Sequence, residues 1–354
     1  MKDTALNGLS DTFEILRDSV VCPLDLENRC GVLRSDGSFS EFSRIRFGPN
    51  QSTKVPQMPD APAKKLGGRH LFGGWLRPHF GHFLMESTPR VWALDGLECN
   101  VESIVFIPFK RGKPKRVRAK FKPLLDILTS GIDVGIIDTP TQVEELIVPD
   151  PGFGHGERIL GSSRYRDVVR KRVAATVSPY GSERLYISRT GLDDNFGGVF
   201  GEDRLEDLMR NSGYAIFRPE QHCAEEQLAR YRAAREIVCL DGSALHMVAF
   251  AAKKGARIGI VFRRRSHLLE GLIRHLQSFL DAEVFGFDAL RNSWVDQKSR
   301  WASYRSVGEL DFPKLSQQLK RAGFIEAGNE IPDLEPHEIA TMISAMNRGP
   351  MNPT

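Results

Sequence analysis

A histidine, a glutamate and an arginine are spaced four residues apart in the segment GHFLMESTPR, which runs from Gly81 to Arg90. If the segment is helical, His82, Glu86 and Arg90 share one face, because residues four apart on a helix are neighbours. A histidine held by a carboxylate is the arrangement of a general base, since the acid fixes the tautomer of the ring and raises its basicity. The spacing therefore predicts a catalytic base at His82 that Glu86 orients.

Pro89 interrupts this helical pattern, and two local structures are compatible with it. Either the helix kinks at the proline, or Ser87 or Thr88 caps a second helix whose first turn contains the proline. His82 and Glu86 remain neighbours in both cases. The same pair is also compatible with a structural histidine that hydrogen-bonds a carboxylate and takes no part in chemistry.

Metal binding is a third interpretation of the segment, because His79, His82 and Glu86 could supply three ligands. The usual spacing of two metal-binding histidines on a helix is four residues, whereas His79 and His82 are three apart. We therefore predict no metal site here. We expect His79 and Arg90 to contact the substrate instead.

From Ser182 onward, predicted strands alternate with predicted helices through short links. The strands are ERLYISR, YAIFRP, EIVCLDG, ARIGIVF and AEVFGF. This alternation indicates a parallel sheet with right-handed crossovers, as in a Rossmann-like domain. Ligands of such sheets bind beyond the carboxyl ends of the strands, so the residues that follow the strands are candidates for a binding site.

Polar residues follow three of these strands: Ser188 with Arg189, Glu220, and the turn DGSALH that begins at Asp241. Gly242 and Ser243 open a helix directly after a buried strand, and free amides at a helix start attract phosphate. Arg189 would point into the same crevice, where its planar guanidinium suits a diphosphate. The alternatives are a glycine that turns a corner beside a serine cap, and a surface ion pair for Arg189.

The first half of the chain is less regular but contains similar pieces. SIVFIPF, VGIID and VEELIVP are predicted strands, a helix is predicted around Val117 to Thr129, and short β-hairpins precede them. We predict an N-terminal α/β domain over 1–178, a C-terminal Rossmann-like domain over 179–330, and a helix and tail over 331–354 whose last residues fray. The glycine-rich PGFGHGERILG gives only weak support to a dinucleotide site, because Glu157 replaces the third glycine of that fingerprint.

Composition and charge favour a globular protein. The 354 residues are 41% apolar and 27% charged, with a net charge of +4, and no apolar stretch has the pattern of a signal peptide or the length of a membrane span. Five widely spaced cysteines without a C-x-x-C pair indicate reduced thiols. We therefore expect a cytoplasmic protein.

A basic run, KRGKPKRVRAKFK, extends from Lys110 to Lys122. It is compatible with a solvated helix face, with an anionic substrate, or with peripheral contact with the anionic inner face of a membrane. A nucleic-acid partner is not favoured, because no aromatic residues alternate with the charges and no known nucleic-acid module accompanies them.

Four blocks of the sequence, in order, resemble the blocks of glycosyltransferase family 61, in particular its bacterial polysaccharide-assembly members. The blocks are GHFLMESTPRVWAL, LYISRTG, GEDRLEDLM and AEEQLARYRAAREIVCLDGSALHMVAF. The resemblance implies a GT-B architecture, in which two Rossmann-like domains face each other across a cleft. It also implies an inverting reaction without an obligatory metal, in which the C-terminal domain binds a nucleotide sugar, with UDP as the expected nucleotide. A glycan or lipid-linked acceptor would enter against the N-terminal domain.

By position, the resemblance assigns the donor site to residues of the second half and the acceptor site to residues of the first. Donor binding falls on Ser188, Arg189, Glu202, Gly242, Ser243, Ala244 and Leu245. Glu220 and Asp241 are added as donor-binding candidates because they directly follow strands. The N-terminal block contributes His82, Glu86 and Arg90. The expected function is sugar transfer in envelope polysaccharide synthesis.

Two residues depart from the family pattern. Asp241 stands where many members have histidine, and Gly201 replaces the asparagine that precedes the acid at Glu202. A carboxylate close to a diphosphate would repel it unless the carboxylate faces away or binds sugar hydroxyls. The alternative function is therefore a non-catalytic nucleotide- or glycan-binding protein on the same scaffold.

Overall fold

The computed structural model describes residues 9–48, 50–97, 100–109, 113–266, 268–299, 301–326, 328, 330–346 and 348–354. The chain forms two compact units, Met1–Val177 and Ser178–Thr354. Lys110, Arg111 and Gly112, which begin the basic run, lie outside the described residues, as does Cys99.

The first unit is built on a mixed β-sheet. Its strands are β1 (Phe13–Cys22), β2 (Gly31–Leu33), β3 (Arg46–Gly48), β4 (Gln51–Ser52), β5 (Lys64–Leu76), β6 (Ser103–Pro108), β7 (Asp133–Ile136) and β8 (Thr141–Pro149). Six of these strands form one sheet in the order β2-β1-β8-β5-β6-β7. The neighbours from β8 to β7 are parallel, whereas β1 is antiparallel to β2 and to β8. The predicted α/β class is therefore confirmed for this half, although β5 was not predicted.

Three helices accompany this sheet among the described residues: α1 (Phe80–His82), α2 (Pro114–Thr129) and α3 (Ser163–Thr176). α1 continues as one wide π-helical turn over Phe83–Ser87, and a short 3-10 helix follows over Val91–Asp95. Pro89 thus lies between two helical segments. Neither Ser87 nor Thr88 caps the second segment, which begins after Arg90. Of the two local structures that the sequence left open, the capped second helix is therefore not the one that forms.

The segment after β5 is fixed by burial on its apolar side. Phe83, Leu84 and Trp92 are fully buried, and Trp92 donates its indole N–H to the carbonyl of Asp150 at 3.0 Å. Apolar burial of this size outweighs the poor local helix geometry, since a large buried side chain contributes about 1.5–3 kcal/mol. The packed side of the segment therefore holds the polar side in place.

Gly74 allows β5 to pass close to a buried arginine. Its φ is +92°, in the region that favours glycine, and a Cβ at this position would lie 2.7 Å from Nη1 of Arg90. The pairing of β5 with β6 shifts register between Phe72 and Gly74. The glycine thus supplies both the bulge and the space for the guanidinium.

The second unit contains a five-stranded sheet in which all neighbours are parallel. The strands of this unit are β9 (Arg184–Ile187), β10 (Gly198–Val199), β11 (Ala215–Phe217), β12 (Glu236–Leu240), β13 (Arg257–Val261), β14 (Glu283–Phe287), β15 (Leu290–Asp296), β16 (Val307–Leu310) and β17 (Met351–Pro353). The parallel sheet has the order β11-β9-β12-β13-β14. The strand order reverses between β9 and β12, which makes that junction the topological switch point where ligands bind in such sheets. The predicted parallel sheet is confirmed.

Helices connect and cover this sheet. They are α4 (Glu202–Asn211), α5 (Ala224–Ala233), α6 (Ala244–Ala251), α7 (Leu268–Leu280), α8 (Phe312–Arg321) and α9 (Pro336–Ala345). α5 packs on α6 and α6 on α7, while α4 contacts β11 and α8 contacts β14. Among the described residues, no helix combines the length and the apolar character that a bilayer span requires.

The last residues of the chain are ordered rather than frayed. β17 pairs antiparallel with β15 in a second sheet of order β10-β16-β15-β17. Met351 is buried, and the Arg348 side chain, 2% exposed, donates to the carbonyls of Asp194 and Arg305. The prediction of fraying is wrong because β17 pairs with β15, and the sequence pattern did not indicate this pairing.

Replacing Gly74 with alanine should destabilise the protein more than replacing Gly131, whose φ is +79°. Both changes force a side chain into the left-handed region, at a cost of about 1–2 kcal/mol. Only the Gly74→Ala methyl would also displace the guanidinium of Arg90, which adds roughly 1–3 kcal/mol of overpacking, because no atom lies within 4 Å of the Gly131 position. Urea unfolding followed by circular dichroism measures the free energy of unfolding of both variants. Equal losses of this free energy would contradict the proposed clash with Arg90.

Candidate functional site

The GHFLMESTPR segment lies at the carboxyl edge of the sheet in the first unit. β5 and β8 are parallel neighbours, so the segments that follow these two strands meet at the same edge. The segment with His82 follows β5, and the loop with His155 follows β8. This edge is where parallel α/β sheets bind their ligands.

Glu86 is the centre of a polar cluster at this edge. Its Oε1 accepts hydrogen bonds from Nδ1 of His82 at 2.5 Å and from Nε2 of His155 at 3.0 Å. Its Oε2 lies 3.1 Å from Nε of Arg77. The side chain of Glu86 is 1% exposed, whereas His82 is 40% and His155 16% exposed. The predicted contact of His82 with Glu86 is confirmed, and a buried acid supports a histidine that reaches solvent.

The surroundings of Glu86 favour its ionised form. Burial alone would raise its pKa, but hydrogen bonds from His155 and His82 and the charge of Arg77 outweigh burial and lower the pKa of Glu86 below the usual 4.5. Glu86 is therefore a carboxylate at neutral pH and keeps a proton on Nδ1 of His82. In the neutral form of the ring, Nε2 of His82 is then the nitrogen with a lone pair.

His79 and Arg90 have different surroundings. The ring of His79 meets that of His82 edge-on at 5.3 Å between centroids, and burial, followed by the charge of His82, lowers the pKa of His79. Arg90 is 2% exposed and donates to the backbone carbonyls of Pro149 and Phe42. A contact with the substrate stays a prediction for both residues. The hydrogen bonds that the structure shows for Arg90 all go to backbone carbonyls of the first unit.

The cluster also offers metal ligands. The ligand atoms of His82, Glu86 and His155 all lie within 4.8 Å of one another. His155 takes the place that the sequence interpretation gave to His79. Arg77 opposes a metal ion at this point, because its guanidinium already balances the charge of Glu86 and would repel a second cation. The arrangement therefore suits proton transfer better than metal binding.

A second candidate cluster lies at the switch point of the second unit. Ser188 and Arg189 follow β9, and Asp241 and Gly242 follow β12. Arg189 packs directly on the glycine, since a Cβ at residue 242 would lie 2.8 Å from Nη1 of Arg189. The expectation that Arg189 points toward this turn is confirmed. Nη2 of Arg189 donates at 2.7 Å to the carbonyl of Phe196, which fixes the guanidinium.

The start of α6 offers unpaired amides. The amide of Leu245 donates to the carbonyl of Gly242 at 3.2 Å, whereas the amides of Gly242 and Ser243 have no acceptor among the residues that the structure describes. The side chain of Ser243 makes no capping hydrogen bond. Ala244 opens the helix, and Leu245 is 1% exposed and belongs to the core. The amide of Ala244 likewise has no backbone acceptor in the described part of the chain, so three amides and one hydroxyl remain for an anion.

Two buried acids lie beneath the loop that carries Arg189. Glu202 accepts hydrogen bonds from the amide of Arg189 at 2.8 Å and from the hydroxyl of Tyr186 at 3.1 Å. Burial raises the pKa of Glu202 to about 7. Ser188, 1% exposed, donates its hydroxyl to Glu206 at 2.6 Å. Through these hydrogen bonds, Glu202 and Ser188 hold the loop that carries Arg189 in place.

Glu220 lies at the same edge of the sheet, on the loop that follows β11. It is exposed, and its carboxylate lies against Gly191, where a Cβ would overlap it. Gly191 belongs to the loop after β9. Glu220 is therefore close to the Arg189 loop and accessible from solvent, and its contact with a donor stays a prediction.

Asp241 is fully buried, and two arginines balance its charge. Its Oδ1 accepts from the backbone amide of Arg263 at 2.9 Å, and its Oδ2 lies 3.2 Å from Nε of Arg264. The carboxylate thus does not add an unpaired negative charge beside the Gly242 turn. Gly201 has a φ of +68°, in a region that asparagine also tolerates.

A comparison with family models shows the family of the chain. Residues 80–258, about half of the chain, match the family model described as Glycosyltransferase 61. The chain belongs to glycosyltransferase family 61. No curated protein matches it. Family 61 membership implies glycosyltransferase activity with a nucleotide-sugar donor. The matched span contains His82, Glu86, His155 and the Gly242 turn, whereas Arg77 lies just before it.

Four residues of this family 61 chain were missed by the sequence interpretation: His155, Arg77, Arg263 and Arg264. His155 lies in the glycine-rich loop that was considered only as a dinucleotide motif. His155 could have been found from its position just after β8, because β8 is parallel to β5 and the two strands end at the same edge of the sheet. Arg263 and Arg264 follow β13, which lies beside β12, so the rule of neighbouring strand ends would have found them too.

Replacing Glu86 with glutamine should destabilise the family 61 fold at neutral pH by about 1–3 kcal/mol. Because the pKa of Glu86 is lowered in the folded state, its ionisation stabilises the fold above pH 4.5, and that stabilisation is lost as the pH falls through the folded-state pKa. The gap in Tm between wild type and Glu86→Gln should therefore narrow in acid below pH 4.5. Thermal unfolding across this range tests it, with the exposed Glu225→Gln on α5 as control. A difference in Tm between wild type and Glu86→Gln that does not change with pH would contradict the assignment of Glu86 as a stabilising carboxylate.

Proposed function

We propose that the protein is an inverting, metal-independent glycosyltransferase that moves a sugar from a nucleotide sugar to a hydroxyl group. The acceptor is a glycan or a lipid-linked glycan of envelope polysaccharide synthesis, elongated in the cytoplasm at the inner membrane. The two units take the GT-B arrangement, with the donor on the Rossmann-like unit. The observation that carries the proposal is the 2.5 Å contact between the exposed imidazole of His82 and the buried carboxylate of Glu86.

In this proposal His82 is the general base. Its Nε2 accepts the proton of the acceptor hydroxyl while the hydroxyl oxygen attacks the anomeric carbon from the side opposite the leaving group. The bond from the anomeric carbon to the diphosphate oxygen breaks, so configuration inverts and the electron pair stays on the diphosphate. Glu86 stabilises the resulting imidazolium through Nδ1, and a positioned base of this kind contributes typically 10²–10⁴-fold to the rate.

The departing diphosphate needs positive charge, and the Gly242 turn supplies it. Arg189 packs on Gly242, and the amides of Gly242 and Ser243 are free of acceptors in the described part of the chain. Donors that are fixed before the reaction stabilise the developing charge without reorganising. Arg189 is fixed in this sense through Phe196, so its guanidinium does not have to be ordered during the reaction.

Metal independence is supported by the cations already around each acid. Arg77 lies 3.1 Å from Glu86, and Arg263 and Arg264 balance Asp241. A divalent ion at either acid would have to displace or approach a guanidinium. Arg189 and the amides at the Gly242 turn stabilise the negative charge of the diphosphate, which a metal ion stabilises in other transferases.

The alternative of a non-catalytic binding protein rested on Asp241 and Gly201. Asp241 is buried and its charge is balanced, so it does not oppose a diphosphate. Gly201 has a left-handed backbone, in which asparagine and glycine substitute for each other at low cost. Neither departure therefore favours the alternative.

Contact with an anionic membrane is part of the proposal and rests on α2. Lys115, Arg116, Lys120 and Lys122 are exposed on this helix. Its apolar residues, such as Phe121 and Leu125, are buried within the unit. The helix therefore has no apolar face to insert into a bilayer, and its attraction to anionic lipid would be electrostatic and sensitive to salt.

Replacing His82 with alanine should lower kcat by about 10²–10⁴-fold while the affinity for the nucleotide sugar is unchanged, because the histidine acts on the acceptor. Turnover is measured by release of the nucleoside diphosphate, and donor binding by calorimetry, over a panel of nucleotide sugars headed by UDP-sugars. His337→Ala, which changes an exposed histidine on α9, is the matched control and should keep full turnover. Wild-type turnover in His82→Ala would remove His82 from the role of base.

Replacing Lys115, Arg116 and Lys120 together with glutamine should weaken binding to phosphatidylglycerol vesicles by about 1 kcal/mol per residue. Sedimentation with vesicles measures the fraction of protein that is bound. Neutral phosphatidylcholine vesicles should bind neither the wild type nor this triple variant. The control is the triple change of Lys254, Lys298 and Lys320, exposed lysines of the second unit, which should bind like wild type. Equal binding by the two triple variants would contradict the membrane contact through α2.

A further inference from the structure

A small cavity of about 20 Å³ lies in the first unit beside Glu86. Its wall comes from β3 and the residues before it, from the GHFLMESTPR segment and from the loop after β8. The lining residues that carry the argument are Arg44, Arg46, Met85, Glu86, Arg90 and Arg158. Arg46, Met85 and Arg158 are half-buried, so the cavity reaches the surface on their side. Its volume holds about one or two water-sized atoms, which is the size of a single functional group.

Two of the charged residues that line the cavity already have their charge balanced. Glu41 binds Arg44 through both of its carboxylate oxygens, at 2.7 and 2.8 Å. Arg77 and two histidines contact the carboxylate of Glu86. These two residues therefore contribute little net charge to the cavity.

The other three lining arginines, Arg46, Arg90 and Arg158, give the cavity an excess of positive charge. Asp150 balances part of it, with Oδ1 at 3.8 Å from Nη1 of Arg158. The hydrogen bonds of Arg90 among the described residues go to backbone carbonyls, which carry no net charge. Burial lowers the pKa of Arg90 and of Arg158, and the charge of Arg46 lowers both further. The three guanidiniums are thus close enough to repel one another.

Arg46 gives the clearest indication that the cavity binds an anion. Its Nη1 is buried and has no hydrogen-bond partner among the described residues, although a buried donor without an acceptor is costly. A guanidinium presents paired N–H donors that match two oxygens of a carboxylate or a phosphate. Such a group in the cavity would supply the missing acceptor and reduce the repulsion between the three arginines.

The cavity adjoins the base that we propose for sugar transfer. Glu86 lines the cavity, and the same side chain binds Nδ1 of His82 at 2.5 Å. Gly154, which also lines the cavity, directly precedes His155, the second histidine bound to Glu86. Because the cavity is too small for a sugar ring, a sugar whose acidic group occupies it keeps its ring outside, close to His82.

We propose that this cavity binds the carboxylate or phosphate group of an acidic sugar residue, an inference that rests on the proposed function and assigns this residue to the acceptor. Arg46 and Arg158 contact the oxygens of the acidic group, and Arg90 contributes its charge. The bound group anchors the acceptor so that a hydroxyl of the same or the adjoining sugar meets Nε2 of His82. A neutral acceptor would leave the buried donor of Arg46 without an acceptor atom, so the site selects acidic acceptors.

The test compares acidic sugars with neutral sugars of the same stereochemistry. The methyl glycosides of glucuronic, galacturonic and mannuronic acid, and the 6-phosphates of glucose, galactose and mannose, are titrated beside the methyl glycosides of the three neutral hexoses. Ligand-observed NMR follows binding, and acetate and inorganic phosphate test the anion alone. The same titrations are made on Arg46→Gln and on Arg158→Gln, and circular dichroism checks that both variants fold. Arg17→Gln, which changes an exposed arginine on β1 of the same unit, is the control.

The wild type should bind at least one acidic sugar about tenfold or more tightly than its neutral parent, the effect of a hydrogen bond to a charged group. Arg46→Gln and Arg158→Gln should lose most of this preference, whereas Arg17→Gln should keep it. Three results would each overturn this inference and leave the proposed function standing: no preference for acidic sugars in the wild type, a preference that survives both variants, or acetate and phosphate binding as tightly as the sugars.

A separate assay distinguishes failure of the proposed function from failure of this inference. Release of a nucleoside diphosphate is measured over the panel of nucleotide sugars, with acidic and with neutral sugars as acceptors. A protein that binds acidic sugars through Arg46 but releases no diphosphate would overturn the proposed function, and with it the assignment of the bound sugar to an acceptor. Release with acidic acceptors that is lost in Arg46→Gln would support both.

Discussion

A carboxylate buried at the end of a strand must be surrounded by cations or hydrogen-bond donors, because an uncompensated buried charge is costly. In the first unit Glu86 meets this constraint with two histidines and Arg77. In the second unit Asp241 meets it with Arg263 and Arg264. Each acid is itself buried, but it determines where the donors around it lie.

The more exposed partner of each buried acid is the group that solvent or a ligand can reach. His82 is 40% exposed and Arg264 16% exposed, while the side chains of Glu86 and Asp241 are each 1% exposed. In both pairs one nitrogen of the more exposed side chain is bound to the acid, and the remaining nitrogens keep a fixed direction. A side chain held in this way loses little conformational freedom when a ligand arrives, which is the physical advantage of preorganisation.

The parts of this structure that the sequence predicted depend on local spacing, and the parts it did not predict depend on strand order. The four-residue spacing predicted the contact of His82 with Glu86, and the strand–helix alternation predicted the parallel sheet of the second unit. His155 was not predicted, because its contact requires β8 to lie beside β5. The glycine-rich β5, KKLGGRHLFGGWL, shows neither alternating nor continuous apolar residues, so its partner strands could not be assigned. The last strand, β17, likewise depends on a partner more than fifty residues earlier.

The close approach of Arg189 to Gly242 has a consequence for how this chain can diverge. The backbone of one strand end and the guanidinium from the next occupy adjoining space, with no room for even a methyl group at residue 242. A side chain at that position would have to displace the guanidinium of Arg189 from its place on the turn, so we expect the glycine and the arginine to be inherited as a pair. Lineages that lose one of them should lose the other, and their covariation would record a contact between two loops more than fifty residues apart in the chain.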